Sequence, residues 1–279
     1  MTHRIHIKAG QPWWVLGLRE IWEYRDLLLN LVLRDLTANY KQSILGPLWF
    51  VLVPLATTIV FTVIFGNIAR IGTDGIPPFL FYLCGLVLWN YFQGCFNGVS
   101  GSVIANTSLF TKVYFPRLIV PLSIVIGNLA QLLLNLVMFG LFYCYYLINA
   151  GAGITPTPWI LAMPLLVLHC AAVGLGTGLW VCAATIRYRD LSYALPFVAQ
   201  LWMFATPIIY PASSVSSRWY WVLALNPLSG VMEFNRHAFF GRGEISGSLL
   251  AANALSAVII LATGILIFTR VQRRFVDTI

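Results

Sequence analysis

The sequence predicts an all-α integral membrane protein. Of its 279 residues, 59% are hydrophobic and 9% are charged, and the mean hydropathy is +0.82, whereas a soluble domain carries roughly 25% charged residues. Six stretches reach the length of about 20 mainly apolar residues that a helix needs to cross the hydrocarbon core, and none contains Asp, Glu, Lys or Arg. One six-span membrane domain is therefore expected over residues 47–269, between a cytoplasmic N-terminal segment at 1–46 and a cytoplasmic tail at 270–279.

The six predicted spans differ in length. The fifth is short, whereas the third and fourth are long enough to tilt or to divide into membrane and interfacial parts. Their expected limits are Pro47 to Ala69, Phe79 to Gly98, Leu118 to Ile148, Trp159 to Ile186, Ala194 to Tyr210, and Leu249 to Thr269.

The distribution of basic residues between the spans predicts the orientation, because Lys and Arg are retained on the cytoplasmic side. One side carries the basic residues of the N-terminal segment and of the tail, together with Lys112, Arg117, Arg187 and Arg189. The other side carries only Arg70, Arg218, Arg236 and Arg242. Both termini are thus expected in the cytoplasm, and the absence of a cleavable small-residue site predicts a mature N-terminus.

A polar stripe in the N-terminal segment predicts an amphipathic helix that lies along the membrane interface. Polar residues recur there at steps of three and four, from Arg19 to Lys41, with apolar residues between them. The helix is expected to end at Gly46-Pro47, because proline starts a helix more readily than it continues one. A helix packed on a soluble partner is the alternative.

The segment between the second and third spans predicts a short cytoplasmic helix. Leu109, Phe110 and Tyr114 would be costly to expose to water, so a cytoplasmic partner is expected to cover them. Packing against the protein's own interfacial helix is the alternative.

A third irregular region, called here the gate segment, runs from Pro211 to Ser248 between the fifth and sixth spans. It is rich in aromatic residues but is broken by Pro227 and several glycines. Backbone of this kind at membrane depth must be buried in protein or line a cavity. The gate segment is therefore expected to form short re-entrant helices on the outer face.

The sequence predicts neither catalytic, cofactor-binding nor metal-binding residues on this chain. The five cysteines lie in or beside apolar runs without a CxxC pair and are interpreted as buried packing residues. His169, the ionisable side chain within a span, is expected to be a hydrogen-bonded packing residue, which disfavours ion coupling. No GxxxxGK[ST] loop is present to hold ATP, so a separate protein must supply the energy. The net charge of +8 is explained by topology, without a nucleic-acid partner.

Four motifs, in order, resemble those of type-2 ATP-binding-cassette permeases that export polysaccharide. The first runs from Arg34-Asp35-Leu36 through Tyr40-Lys41 to Leu45-Gly46-Pro47-Leu48-Trp49. The others are Phe115-Pro116-Arg117 with Pro121, Arg187-Tyr188-Arg189-Asp190-Leu191, and Asn226-Pro227-Leu228 followed by Glu233 and Arg236. Asn235 departs from the pattern, since many relatives carry an aromatic residue there.

The resemblance implies a homodimer in the bacterial plasma membrane, bound to two copies of a nucleotide-binding ATPase subunit that holds ATP and Mg²⁺. It implies that a glycan such as O-antigen, capsule or teichoic acid is exported on a lipid carrier. The segment between spans two and three becomes a coupling helix, with contact residues Asn106, Leu109, Phe110, Lys112, Tyr114 and Phe115. The gate segment becomes an outer gate, with Trp219, Tyr220, Trp221, Asn226, Pro227, Glu233 and Arg236.

Two further hypotheses concern substrate contacts. Aromatic rings pack well on sugar C–H faces, so some aromatic residues are hypothesised to line a glycan channel: Phe61, Phe65, Trp89, Tyr91, Phe92, Trp202, Phe204 and Tyr210. The alternative is membrane-interface belts and helix packing. Basic residues near the cytoplasmic entrance are hypothesised to bind the carrier diphosphate: Arg34, Lys41, Arg117, Arg187 and Arg189. Positive-inside topology alone is the alternative.

Three rival functions remain open from the sequence. A permease of the same architecture that exports a drug or small lipid is the first. The others are a membrane-embedded enzyme of glycan assembly, which needs a buried acid or metal site, and an ion-coupled transporter.

Overall fold

The computed structural model describes residues 18–41, 46–112, 115–149, 154–188, 190–243 and 246–275. All regular secondary structure in these ranges is helical. The α-helices are α1 Leu18–Glu23, α2 Arg25–Lys41, α3 Trp49–Phe61, α4 Pro78–Ala105, α5 Thr107–Lys112, α6 Ile119–Asn149, α7 Met163–Thr185, α8 Leu191–Ala205, α9 Tyr220–Leu225, α10 Ser229–Phe240 and α11 Gly247–Phe275.

Five helical segments of the described residues are long and apolar enough to cross a membrane. They are Gly46–Ile68, Pro78–Ala105, Ile119–Asn149, Pro158–Thr185 and Gly247–Val271. The first contains α3 and a π-helical continuation, Thr62–Ile68. These five correspond to the first four predicted spans and the sixth.

The fifth predicted span, Ala194 to Tyr210, forms only part of a helix. Helix α8 has 15 residues, which is about 22 Å at a rise of 1.5 Å per residue, against a hydrocarbon core of about 30 Å. It ends because Thr206 is extended, with φ −98° and ψ 139°, as favoured for a residue before proline. Five long spans and this shorter apolar helix are found, so the predicted count of six is not confirmed.

Helix α7 lies between α4 and α11, and its glycines permit the close approach. A Cβ atom added at Gly178 would lie 2.7 Å from Cβ of Val99 in α4. On the opposite face, a Cβ atom added at Gly176 would lie 2.7 Å from the carbonyl oxygen of Ile260 in α11. Small residues of this kind let membrane helices bring their backbones into contact. Helix α7 is therefore the central member of the three.

Helix α4 forms the main core of the protomer. Every residue from Leu80 to Trp89 is buried, whereas few residues of α3 and α11 are buried. Four of the cysteines are also buried, as expected, but Cys144 is exposed. The prediction for Cys144 is wrong because the second half of α6 is covered by neighbours on one side only.

The N-terminal helix packs on the start of α6. The N-terminal helix is divided at Tyr24 into α1 and α2, and α2 contacts α6. Leu31 of α2 joins Phe115, Ile119 and Val120 in a small core separate from the main one. Residues 1–17 and 42–45, which complete the predicted N-terminal segment, lie outside the described residues.

The gate segment contains short helices, as expected. Helices α9 and α10 follow two single turns of 3-10 helix, Ala212–Ser214 and Ser217–Trp219. The left-handed Gly241, with φ 65°, ends α10.

Candidate functional site

The predicted coupling segment is attached to α2. Arg34 Nη2 donates a hydrogen bond to Oδ1 of Asn106, at 3.1 Å. The rings of Phe110 and Phe115 stack with centroids 5.5 Å apart, and Leu109 and Phe110 pack against the small core that contains Leu31. The structure thus shows the packing on the protein's own helix that the sequence left open. Tyr114 and the side chain of Lys112 lie outside the described residues, and the role of the set in coupling stays a prediction.

The basic residues predicted at the cytoplasmic entrance already contact other groups of the chain. Arg34 pairs with Asp35, with Nη2 and Oδ1 2.7 Å apart. The guanidinium of Arg117 lies 5.9 Å from the ring centroid of Phe110, and that of Arg187 lies 5.4 Å from the ring of Tyr188. Arg34 and Arg117 therefore both contact the coupling segment. The side chain of Lys41 and all of Arg189 lie outside the described residues, so diphosphate binding by the set stays a prediction.

Most of the hypothesised channel aromatics pack against one another inside the protomer. Trp89, Tyr91 and Phe92 are buried, and Phe92 meets Trp202 edge to face at 4.9 Å between centroids. This burial favours the alternative of helix packing for these residues.

The remaining members of the aromatic set are less enclosed. Phe61 and Phe65 are half-buried and contact each other at 5.3 Å between centroids, and Tyr210 is half-buried. Phe204 on α8 is 46% exposed. Among the described members of the set, Phe204 has the exposed ring, so the channel hypothesis now depends mainly on Phe204.

The Asn-Pro-Leu motif of the gate segment joins α8 to α10. Asn226 Oδ1 accepts hydrogen bonds from Trp202 Nε1 at 3.0 Å and from the Leu228 N–H at 3.1 Å. Its Nδ2 donates to the hydroxyl of Thr206 at 2.8 Å. One amide thus holds the end of α8 beside the start of α10.

The Pro227 carbonyl of the same motif accepts a hydrogen bond from Nε2 of His169 in α7, at 2.7 Å. This is the packing role that the sequence favours for His169. It ties the junction of α9 and α10 to the central helix of the fold.

Glu233 and Arg236 on α10 form a buried ion pair, with Oε1 and Nη1 2.7 Å apart. Glu233 Oε1 also accepts from the Ala212 N–H at 2.7 Å, while Arg236 Nη2 donates to the carbonyl oxygens of Pro207 and Ile208. Burial raises the pKa of the Glu233 carboxyl above its ordinary value, and Arg236 and the Ala212 N–H act in the opposite direction. The pair fixes the chain between α8 and α9 against α10.

The other predicted gate residues have open surfaces. Trp219, Tyr220 and Trp221 are exposed at the start of α9, and the two indole rings lie 6.5 Å apart. The seven predicted gate residues therefore divide into an exposed aromatic group and a buried group that holds the backbone. The gating role of these seven residues stays a prediction.

A cavity with several polar lining residues, which the sequence pattern did not predict, lies between α2, α3 and α6. It has a volume of about 330 Å³ and is lined by Asp35, Leu36, Ala38, Phe50, Ser123, Ile124, Gly127, Asn128 and Gln131. The available signal was the spacing of Asn128, Gln131 and Asn135, which places three amides on one face of a helix that is otherwise apolar. Within the described residues, no group of three or more His, Cys, Asp or Glu side chains could hold a metal ion.

The long apolar helices, with the irregular gate segment and the short helix held against the N-terminal helix, define a multi-pass membrane protein. A family model described as ABC-2 type transporter matches residues 26–240. The chain therefore belongs to the ABC-2 type transporter family. It is the non-catalytic permease part of an ATP-driven exporter and works with a separate ATPase partner.

Curated relatives resemble the chain over nearly its whole length. The O-antigen export system permease protein RfbA of Myxococcus xanthus is 30% identical over 94% of this chain and 98% of its own length. A protein of the same name from Klebsiella pneumoniae is 27% identical over 90% of this chain and 94% of its own length. The polysialic acid transport protein KpsM of Escherichia coli is 26% identical over 85% and 90%, respectively.

Proposed function

We propose that the chain is the permease subunit of an exporter that moves a lipid-linked polysaccharide from the cytoplasmic side across the bacterial plasma membrane. The observation that carries the proposal is the similarity to O-antigen export permeases over 94% of the chain. Because it extends from the coupling segment through the gate segment, it covers both features that distinguish this architecture.

The active exporter is proposed to contain two copies of this chain and two ATPase subunits, which bind ATP and Mg²⁺. Helices α3 and α11 each have few buried residues in the protomer and several large exposed apolar side chains. Lipid covers part of such a surface, and a second copy of the chain covers another part. One protomer also encloses Trp89, Tyr91 and Phe92 of the hypothesised channel aromatics, so a wide path for a glycan requires surfaces from two protomers.

Both termini are proposed to lie in the cytoplasm, with α2 and α5 at the cytoplasmic interface. Attachment of α5 to α2 through Arg34 and Phe110 supports this arrangement. A force that the ATPase applies to α5 would move α2 as well, since the two share one small core. Movement of α2 along the membrane surface would then open a path for the headgroup of the carrier.

The decisive experiment combines deletion with affinity purification from native membranes. Deletion should remove one surface glycan and leave its lipid-linked precursor in the cytoplasmic leaflet, and the tagged chain should bring an ATPase subunit with it. Complementation of the deletion strain with the intact gene is the positive control. The negative control is the same complementation in a strain whose ATPase subunit cannot bind ATP.

Unchanged surface glycans, together with increased sensitivity to a drug, would support the small-molecule rival instead. Export that persists during ATP depletion and stops with an uncoupler would support the ion-coupled rival.

A further inference from the structure

The cavity between α2, α3 and α6 has the size of a small-ligand site. Its volume of about 330 Å³ is at the lower end of the range of roughly 300–1,000 Å³ that small-molecule sites occupy. Gly127 lines it, and a Cβ atom added at Gly127 would meet no atom within 4 Å. The cavity thus has room for a ligand beside the backbone of α6.

Its lining combines planar polar groups with one aromatic ring. Asp35 contributes a carboxylate, Asn128 and Gln131 contribute amides, and Phe50 contributes the ring. Asn128 uses one of its two N–H groups on the carbonyl of Ile124, at 2.9 Å. The Gln131 amide makes no hydrogen bond to the part of the chain that the structure describes. These groups accept and donate hydrogen bonds side by side, as sugar hydroxyls require, and the ring offers a face for sugar C–H groups.

The acidic member of the lining selects against the anionic part of a lipid carrier. A carboxylate accepts hydrogen bonds but donates none when ionised, and like charges placed in contact repel. A diphosphate is therefore a poor ligand for the side of the cavity that Asp35 lines. An uncharged, hydroxyl-rich ring satisfies the carboxylate and both amides.

Asp35 also connects the cavity to the predicted coupling segment. Its Oδ1 lies 2.7 Å from Nη2 of Arg34, and the same Nη2 donates to Asn106 at the junction of α4 and α5. Arg34 contacts only Oδ1 of this carboxylate, and a ligand hydroxyl that donates to either oxygen of Asp35 weakens the attraction between the carboxylate and Arg34. Occupancy of the cavity thus alters the contact that holds α2 to the coupling segment.

We propose that this cavity binds an uncharged sugar unit of the exported lipid-linked glycan through Asp35, Asn128 and Gln131, and that the Asp35–Arg34–Asn106 contact relays its occupancy to the ATPase. The proposal rests on the proposed function, since it assigns the site to that glycan. The diphosphate of the carrier then lies outside the cavity.

The test uses the complete permease–ATPase complex in vesicles of phosphatidylethanolamine and phosphatidylglycerol. Two probes are compared, polyprenyl diphosphate that carries one N-acetylglucosamine and the same polyprenyl diphosphate without sugar. Apparent affinity and stimulation of ATP hydrolysis are measured for each. The unchanged complex should bind the sugar-bearing probe more tightly and should respond to it with faster ATP hydrolysis.

Three variants examine the site, and one examines the helix outside it. Gln131→Leu removes an amide at similar volume and should weaken binding of the sugar-bearing probe about 10-fold, as expected for one hydrogen bond. Gly127→Leu fills the open space and should abolish the difference between the probes. Asp35→Asn should weaken the stimulation more than the binding. Asn149→Leu, at the far end of α6, is the control and should leave both measurements unchanged.

The outcomes separate this inference from the proposed function. If Gln131→Leu and Gly127→Leu, with unchanged elution in gel filtration, bind both probes like the parent, the cavity is not a sugar site. Equal binding of both probes by the parent assigns any ligand there to the carrier or to ordinary lipid, which also overturns the inference. Neither result affects the proposed function if deletion of the chain still removes a surface glycan.

Discussion

Arg236 forms an ion pair with Glu233 while its guanidinium covers the face of Phe81, 3.9 Å from the ring centroid. Both charged side chains are almost completely buried, at 1% and 4% exposure. The arrangement brings three parts of the fold together: α10, the start of α4, and the irregular chain after α8. A buried pair of this kind is costly to break but contributes little net stability when both partners are replaced together.

Replacement of Arg236 alone is therefore expected to be severe. Arg236→Ala leaves the Glu233 carboxylate buried without its partner and frees two backbone carbonyls, at a cost of roughly 3–5 kcal/mol. The melting temperature of the protein in detergent, followed by size-exclusion chromatography after heating, should fall strongly. The double variant Glu233→Leu with Arg236→Met should lose less, because no uncompensated charge remains.

Arg242→Ala is the matched control for this prediction. Arg242 donates to the backbone carbonyl of Asp74 at an exposed position, where a lost contact has a small effect. A melting temperature that falls equally for Arg236→Ala and Arg242→Ala would contradict the assignment of the buried pair.

Asn226 is expected to maintain the geometry of the gate segment, so its loss should affect export more than it affects stability. Asn226→Ala removes the acceptor of the Trp202 N–H, and an unpaired buried donor costs about 1–3 kcal/mol. Export should decline while the protein still reaches the membrane. Asn149→Ala, which removes one exposed intrahelical hydrogen bond, should retain export. Normal export from Asn226→Ala would show that the junction of α8 and α10 tolerates the change.

The parts of the fold that the sequence predicted are those that hydropathy determines. Helices α4, α6, α7 and α11 lack Asp, Glu, Lys and Arg over long apolar runs, and lipid leaves such runs few alternatives to a helix. The early end of α8 was not predicted because apolar residues continue beyond Thr206 and Pro207, whereas the helix ends at Ala205. The motif around Asn226 was recognised as a signature, but its hydrogen bonds join positions distant in sequence.

The candidate site was less predictable. Helix α4 is apolar on nearly every face, so periodicity does not show which aromatic residues face the protomer core and which face a path. The glycines of α7 carried that information, since Gly174 and Gly178 fit against Phe92, Cys95 and Val99. The cavity beside Gln131 depends on the packing of α2 against α6, which pattern alone does not fix.

The contact between α7 and α11 is expected to tolerate no added side-chain volume. Gly176→Ala would place Cβ 2.7 Å from the Ile260 carbonyl oxygen, so the helices would have to separate, at a cost of about 1–3 kcal/mol. The melting temperature in detergent should fall by several degrees. Gly140→Ala in α6 is the control, because its Cβ meets no atom within 4 Å, and its melting temperature should not fall. Equal effects of the two substitutions would contradict the packing at α7.

The orientation of the chain can be tested with single cysteines in a background without the native ones. Cysteines at Lys112 and Arg218 should react on opposite sides of the membrane with a thiol reagent that does not cross it. Loop charge places Lys112 in the cytoplasm, and α8 together with residues 206–217 must then carry the chain to the other side. Labelling of both positions from the same side would show that α8 does not complete a crossing.

Substitution of an aromatic residue on α4 and of one on α8 is expected to affect the amount of folded protein differently. Phe92→Ala removes a buried ring and leaves a cavity, at a cost of roughly 3–5 kcal/mol, so the amount of folded protein in the membrane should fall together with export. Phe204→Ala removes an exposed ring and should leave the amount of folded protein unchanged. If Phe204 contacts the moving glycan, export per folded protein should still decline, since a sugar-stacking surface is lost. Phe197 is also exposed, on the same helix, so Phe197→Ala is the matched control and should export normally. Unchanged export per folded protein for Phe204→Ala would assign the open aromatic surface of α8 to lipid contact or helix packing, and would leave the channel hypothesis without support at this position.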